Sequence, residues 1–457
     1  IMVRSVRYIS FILILSLSKT LYSQSLSFSE AQDRMNRENS LIKAVEKQEE
    51  VHAFELKASK GLRYPKVGIF ATGVYLDREL GIDLNGVRNG IGGLLQLPDP
   101  GVLGNWDFTF LKRGIAFGGA DVTWPLFTGG KINAAVEASK IKAEIGEKEL
   151  ISTKNKLISE LAQRYFQVQL ADEAVNVRKQ VLDGMNKHLY DATKLEEQGI
   201  IAPVEKLQAD VAVSEATRQY LAAQKDAALA RVALANTLET DQVESELSTH
   251  FFLSENIKPL EFYQDLAVLN YPELQKLQLQ ANLAEQGIKV KKSSYYPTVA
   301  AFGQAILVHN NPIGIVEKNE RPWMVGVGLT YTLFNGFQHK NEIKSAQATK
   351  ESVELYQVKA EKDIKTLIEK IYQDLQKQEE QIQNLEVQEK QAQELVRVRS
   401  RAFSEGLATS TDVVDAELNL SGVRLQKLQA NYNYVVDLAS LLEYSGQSQE
   451  FIQYTNQ

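Results

Sequence analysis

The chain has no cysteine among its 457 residues. That excludes a disulfide framework, a thiolate zinc site, a cysteine nucleophile and lipid attachment at an N-terminal cysteine. Charge of one sign is also lacking. Lys and Arg number 51 against 58 Asp and Glu, a net charge of −7 with no basic stripe, which excludes a nucleic-acid partner. Catalytic signatures are missing as well. Gly129-Gly130-Lys131 is followed by Ile132, so it is not a phosphate loop, and no HExxH, GxSxG or GxGxxG occurs. The histidines at 52, 188, 250, 309 and 339 are scattered, and most read as surface residues. Neither an enzyme nor a cofactor or metal site is expected. Long apolar runs are scarce too. Arg4 and Arg7 followed by Phe11-Ile12-Leu13-Ile14-Leu15 and Leu17 read as a signal peptide over 1–23, cleaved near Ser23-Gln24. The run is short of the ~20 residues of a spanning helix, the alternative being an N-terminal anchor, and no other stretch is apolar enough.

Proline is sparse, and its gaps are informative. None occurs between Pro125 and Pro203, between Pro203 and Pro259, or after Pro322. Proline is excluded from helix interiors. These gaps are filled with Ala, Glu, Lys, Gln and Leu, good helix formers. Leu150, Leu157, Leu161, Tyr165 and Val168 form one narrow apolar stripe; Ala360, Ile364, Leu367, Ile371, Leu375, Ile382 and Leu385 form another. Seams of this kind mark helices packed as in coiled coils. A helix from 129 to 197 would be on the order of 100 Å long, far more than a globular core can use.

What the chain does have is itself, twice. Thr123-Trp124-Pro125-Leu126-Phe127-Thr128-Gly129 recurs as Thr330-Tyr331-Thr332-Leu333-Phe334-Asn335-Gly336, and without a gap Tyr165 meets Tyr372 and Glu197-Gln198-Gly199 meets Ser404-Glu405-Gly406. Tyr64-Pro65-Lys66-Val67 against Tyr296-Pro297-Thr298-Val299 opens each unit. The expected organisation is repeat 1 over 24–240, a linker over 241–262, repeat 2 over 263–446 and a polar, irregular tail over 447–457. Each repeat reads helix, strand, loop, strand, long helix, turn, helix. Strands are expected at 66–76, 114–124, 298–308 and 323–333, from β-branched, aromatic and glycine content and from alternation such as Val325, Val327, Leu329 and Tyr331 on one face. A glycine-rich loop separates the first two. Each strand is roughly as long as a membrane-crossing β-strand. Trp124, Tyr295, Tyr296, Trp323 and Tyr331 stand near strand ends, where aromatics suit a bilayer interface.

In a bilayer every backbone polar group must be paired, so an open sheet edge is forbidden. Small closed barrels have at least about eight strands. Four strands per chain therefore imply that several chains share one barrel. The helices that leave the strands at Pro125-Leu126-Phe127 and Thr332-Leu333-Phe334 would continue it as a helical tube, a conduit. The alternative is an exported periplasmic coiled-coil scaffold or interaction protein with a small soluble sheet and no pore.

The pattern resembles the TolC-like family of outer membrane efflux proteins. The joints Trp124-Pro125-Leu126-Phe127-Thr128-Gly129-Gly130 and Tyr331-Thr332-Leu333-Phe334-Asn335-Gly336 carry the resemblance, with the Tyr-Pro strand openings, Leu26-Ser27-Phe28-Ser29-Glu30-Ala31, and Gly406-Leu407-Ala408-Thr409-Ser410-Thr411-Asp412-Val413-Val414-Asp415-Ala416. The implied fold is a mixed α/β membrane protein: a homotrimer with a twelve-stranded β-barrel continued by a long α-helical barrel, each chain built from two internal repeats. The implied role is the outer-membrane channel-tunnel of a tripartite efflux or secretion system, a passive gated duct from periplasm to exterior. Its implied partners are outer-membrane lipid, a periplasmic adaptor and an inner-membrane pump of RND or ABC type. By that match Asp412 and Asp415 line the pore constriction. Spaced i, i+3 at a helix start, they share a face, and in a trimer would form acidic rings that favour cations. The local alternative is first-turn capping, with Ser410 or Thr411 as N-cap. Gly199, Glu205, Phe403, Gly406 and Leu407 fall at the periplasmic tip that would meet the adaptor. The family's Arg and Tyr lock positions match Ala408 and Phe403, so closure is expected to rest on packing of Phe403 and Leu407 and on other contacts.

Overall fold

The glycine- and aromatic-rich segments pair into one antiparallel sheet. In the computed structural model, which describes residues 25–309 and 321–455, its strands are β1 (Lys66–Tyr75), β4 (Gly114–Phe127), β5 (Thr298–His309) and β6 (Trp323–Thr330), in the order β1-β4-β5-β6. The segment read as a signal peptide lies outside the described residues, as does the connection between the last two strands at 310–320. β4 runs beyond residue 124 to Phe127 by tolerating Pro125 at an irregularity, where Pro125 faces Ala300 and Phe127 faces Val299. A proline lacks the ladder's N–H, so it is confined to such places or to edges. β6 stops at Thr330, short of 333, because Thr330 pairs with Thr298, the first residue of β5, and nothing lies beyond to pair with. Phe302 lies across the glycines of β6, its ring within van der Waals reach of Gly326 and Gly328.

The glycine-rich stretch expected as a loop is ordered. β2 (Leu80–Asp83) pairs with β3 (Asp107–Leu111), and α3 (Asn85–Leu94) lies between them. The Asp83 carboxylate accepts the Asn85 N–H at 2.8 Å, and the Arg88 guanidinium donates to the Gly104 carbonyl at 2.7 Å. These local polar contacts offset the poor helix propensity of Gly86, Gly90, Gly92 and Gly93.

Eight helices carry most of the chain: α1 (Phe28–Glu38), α2 (Ser40–Lys60), α4 (Lys131–Glu197) and α5 (Pro203–Thr237), then α6 (Leu260–Asn270), α7 (Pro272–Lys292), α8 (Gln338–Ser404) and α9 (Ser410–Tyr444). Taken as two sets of four, their lengths are 11, 21, 67 and 35 residues in both. No described helix is long and apolar enough to cross a membrane. The residues fall into two units. One comprises Val51–Glu144 and Leu279–Val353 and holds both sheets; the other comprises Ile145–Gln278 and Glu354 onward, with the segment up to Glu50.

The core of the second unit follows the stripes read from sequence. Leu157, Leu161, Tyr165, Val168, Ile364, Ile371, Leu375, Ile382 and Leu385 are all buried. Around Tyr165 the aromatics converge: Phe28 lies edge-on to Tyr165 and to Phe451, and Phe166 packs on Phe251 and Phe252. The Tyr165 hydroxyl donates to the Leu26 carbonyl at 2.6 Å and accepts the Thr249 N–H at 3.1 Å. Phe251 and Phe252, within 241–262, pack on this core, and α6 starts in that segment at Leu260. One expectation is corrected here. The tail is not irregular: Phe451–Thr455 is helical, α10, because the fully buried Phe451 ring anchors it against Phe28 and Phe252.

Candidate functional site

The two long helices end in the same way. Gly199 and Gly406 have φ of 71° and 75°, a left-handed conformation that costs glycine little. The Gly199 N–H donates to Glu196 O and the Ile200 N–H to Leu195 O; the Gly406 N–H donates to Phe403 O and the Leu407 N–H to Ala402 O. Paired bonds of this kind satisfy carbonyls the helix end leaves open. Each chain thus folds back into α5 or α9.

The restarts differ. α5 begins at Pro203, which has no N–H to satisfy, after a cap at Ala202 that makes no side-chain bond. At the equivalent place in α9 stands Ser410. Its N-cap is Thr409, not Ser410 or Thr411. The Thr409 hydroxyl accepts the Asp412 N–H at 3.2 Å, and the Asp412 carboxylate accepts both the Thr409 N–H at 3.0 Å and the Thr409 hydroxyl at 2.8 Å. This reciprocal arrangement is a capping box. Asp412 also pairs with Arg399 at 3.2 Å. The Thr409 hydrogen bonds, helped by Arg399, hold its carboxyl below the usual range. Asp412 therefore serves the local helix start, whereas Asp415 is exposed with no polar partner among the described residues.

The two hairpins hold one another at this turn. The Ser410 N–H donates to the Glu205 carboxylate at 2.6 Å, and the Thr411 hydroxyl donates to Gln208 Oε1 at 3.1 Å. His188 Nε2 lies 2.7 Å from the Ser410 hydroxyl, and the His188 ring packs edge-on to Phe403 with centroids 4.5 Å apart. Ser410 is fully buried and His188 is 6 % exposed, so this histidine is not the surface residue its sequence context suggested. Burial lowers its pKa, against the opposing pull of Asp191 and Glu205. Phe403, 1 % exposed, packs with Ala192, Ala209 and Val413. Phe403 is thus a core residue of the turn and offers no surface to an adaptor. Leu407 is the reverse, at 78 % exposed. The sequence names Ser410 and Glu205 but not the contact between them, nor that of His188 with Ser410, because partners about two hundred residues apart leave no local signal.

The strand–helix joints are the other recurring feature. In the first, the Trp124 indole donates to the Arg63 carbonyl at 3.0 Å, and Pro125 and Phe127 complete the strand. Gly129 and Gly130 have φ of 59° and 86°, and a Cβ on Gly129 would meet the Ser293 carbonyl at 2.7 Å. In the second, Gly336 and Phe337 have φ of 64° and 65°. A bulky residue is thus held where the first joint has glycine, at a cost of roughly 1–2 kcal/mol. Its ring stacks edge-on to Phe334 at 5.5 Å, beside exposed Leu333 and Tyr331.

The model of the outer membrane efflux protein family matches residues 116–239 and 264–447, more than half of the chain. The chain belongs to that family. Solved structures agree on the fold. It is similar to the outer membrane protein VceC of Vibrio cholerae, with 15% identity over 92% of this chain and 96% of that one and a TM-score of 0.75. The Campylobacter jejuni CmeC outer membrane channel has 15% identity over 92% and 86%, with a TM-score of 0.71. The Neisseria gonorrhoeae MtrE outer membrane channel, solved in its open state, has 16% identity over 92% and 89%, with a TM-score of 0.70. No curated protein matches by sequence. As a TolC-like efflux protein, the chain is an outer-membrane channel that extends into the periplasm. That placement removes the soluble scaffold alternative.

Proposed function

We propose that this efflux protein works as a homotrimer whose chains share one twelve-stranded barrel, continued by an α-helical tunnel and built from two repeats per chain. The observation that carries the reading is the open sheet. β1 and β6 are its edges, unpaired among the described residues, and apolar side chains such as Ile69, 89 % exposed, stand out from it. A bilayer tolerates no free edge, so β1 of one chain pairs with β6 of the next. The helical ends meet a periplasmic adaptor and, through it, an inner-membrane pump of RND or ABC type. Gly199, Gly406 and the exposed Leu407 lie on the adaptor-facing surface.

The duct is passive and gated at the turns. The contacts of Glu205, Gln208 and His188 with Ser410 and Thr411 take the place of a guanidinium–phenol lock. Opening separates the α4–α5 hairpin from the α8–α9 hairpin. Asp415 lines the constriction, with Asp412 beside it. Purified protein in planar bilayers tests this: trimers with cation-selective conductance are expected, and a monomer without conductance overturns it.

A further inference from the structure

The two repeats differ in charge just past their strand–helix joints. Where repeat 1 has Asn133 and Glu137 on the first turns of α4, repeat 2 has Lys340 and Lys344 on the first turns of α8. Lys340 and Lys344 border a groove of about 420 Å³ that is also lined by Lys292, Tyr295, Tyr296 and Ile343. These three lysines have no ion pair among the described residues. Their neighbours do: Lys289 pairs with Glu285 at 3.5 Å, Lys291 with Glu342 at 3.2 Å, and Lys350 with Glu285 at 3.7 Å. The three without one all line the groove.

The groove's place says what would neutralise them. Tyr295 and Tyr296 immediately precede β5, and Thr298 of β5 pairs with Thr330 at the end of β6. From there Leu333, 87 % exposed, and Phe334 continue the exposed apolar row of Val325, Val327 and Leu329. A basic groove lined by two tyrosines thus adjoins an apolar surface. That sequence of chemistries, cation, then phenol, then hydrocarbon, matches a lipid read from headgroup to acyl chain.

We propose that this groove binds the phosphate headgroup of an anionic phospholipid, held by Lys292, Lys340 and Lys344 with its acyl chains along β5 and β6. Repeat 1 carries Glu137 at the position of Lys344, in a groove that also takes in Arg63, Lys289 and Lys292. The proposal rests on the reading that the strands lie in the bilayer. A free phosphate would answer to the same lysines but has no use for the apolar row.

The test is native mass spectrometry of the detergent-purified channel with added phosphatidylglycerol, phosphatidylcholine or inorganic phosphate. Wild type is expected to retain phosphatidylglycerol in preference to phosphatidylcholine, and excess inorganic phosphate should not displace it. One lysine near an anionic lipid surface is worth roughly five-fold, so Lys340→Gln with Lys344→Gln should weaken retention about thirty-fold. The same charge removal at exposed Lys362→Gln with Lys365→Gln should leave it unchanged. Equal retention by both double variants overturns the proposal, as does displacement by inorganic phosphate. The single variants Lys340→Gln and Lys344→Gln, each about five-fold weaker, stand in if the double variant does not assemble. Wild type found in outer-membrane fractions with no lipid preference sinks this site alone; wild type absent from the membrane sinks the bilayer reading with it.

Discussion

Removing the Glu205 carboxylate should loosen the closed turn by an amount the geometry sets. Ser410 is the first residue of α9, so its N–H has no partner inside that helix. It is fully buried, and its acceptor is Glu205, 2.6 Å away on the other hairpin. Glu205→Ala leaves a buried donor without an acceptor, a cost of about 1–3 kcal/mol. Glu205→Gln keeps a neutral acceptor and loses only the charge assistance, about 1 kcal/mol. In a trimer each change is present three times, so the closed form loses roughly 3–9 kcal/mol with alanine. The assay is single-channel recording in planar bilayers, with circular dichroism to verify helix content. Open probability should rise in the order wild type, Gln, Ala. If Ala matches wild type, or if Gln opens the channel more than Ala, this contact does not hold the turn and the reasoning fails.

Three further outcomes follow from the same structure. Asp415→Asn should weaken cation selectivity and block by multivalent cations, whereas Asp412→Asn, which weakens a capping box, should chiefly lower Tm; unchanged selectivity in both would remove them from the constriction. His188 has a folded-state pKa below its unfolded value of about 6.5, so the unfolded turn binds the extra proton and stability is lost as pH falls below that value. The cavity of about 700 Å³ beside it, lined by Asp191, Arg397, Arg401 and Glu417, gives protons access. Hydrogen exchange at 185–205 and 400–415 should quicken on acidification, and His188→Gln should abolish that dependence; identical profiles would refute it. Asp437 is pushed up to about 6 by burial and by Asp374, so its contribution to stability is present in acid and lost as pH rises through about 6. Discounted for partial exposure, Asp437→Asn should stabilise by about 1–2 kcal/mol above neutral pH and by little near pH 4, read as a pH-dependent shift in Tm.

Much of the fold was legible because it is written in composition. The proline-free stretches give α4, α5, α8 and α9, and their apolar stripes give the buried seams, since a narrow seam in a polar helix leaves one packing solution. The joints were legible because Gly129 and Gly336 sit where the backbone turns left-handed. α3 was not, because its glycines read as loop and only tertiary contacts such as Arg88 to Gly104 O order it. Phe451 was not, because one aromatic in a polar tail carries no periodicity. At the turns, sequence found the right segment but not its chemistry. It set Phe403 both among the adaptor contacts and among the packing residues, and only the second agrees with its burial; it offered capping near Asp412 but from Ser410 or Thr411, not from Thr409. It also passed over His188, whose meaning comes only from Ser410, far away in the chain.

A shared barrel requires β1 of one chain to pair with β6 of another, and the lack of cysteine makes this directly measurable. Single cysteines at Ile69 in β1 and along Met324–Leu329 in β6 can be combined pairwise and oxidised in outer-membrane vesicles. Pairs brought to a Cα separation of about 5.5 Å should form a disulfide. A covalent dimer and trimer are expected on non-reducing gels, with the best pairs recurring at alternate β6 positions. A disulfide formed only within one chain, closing β1 on its own β6, would contradict it.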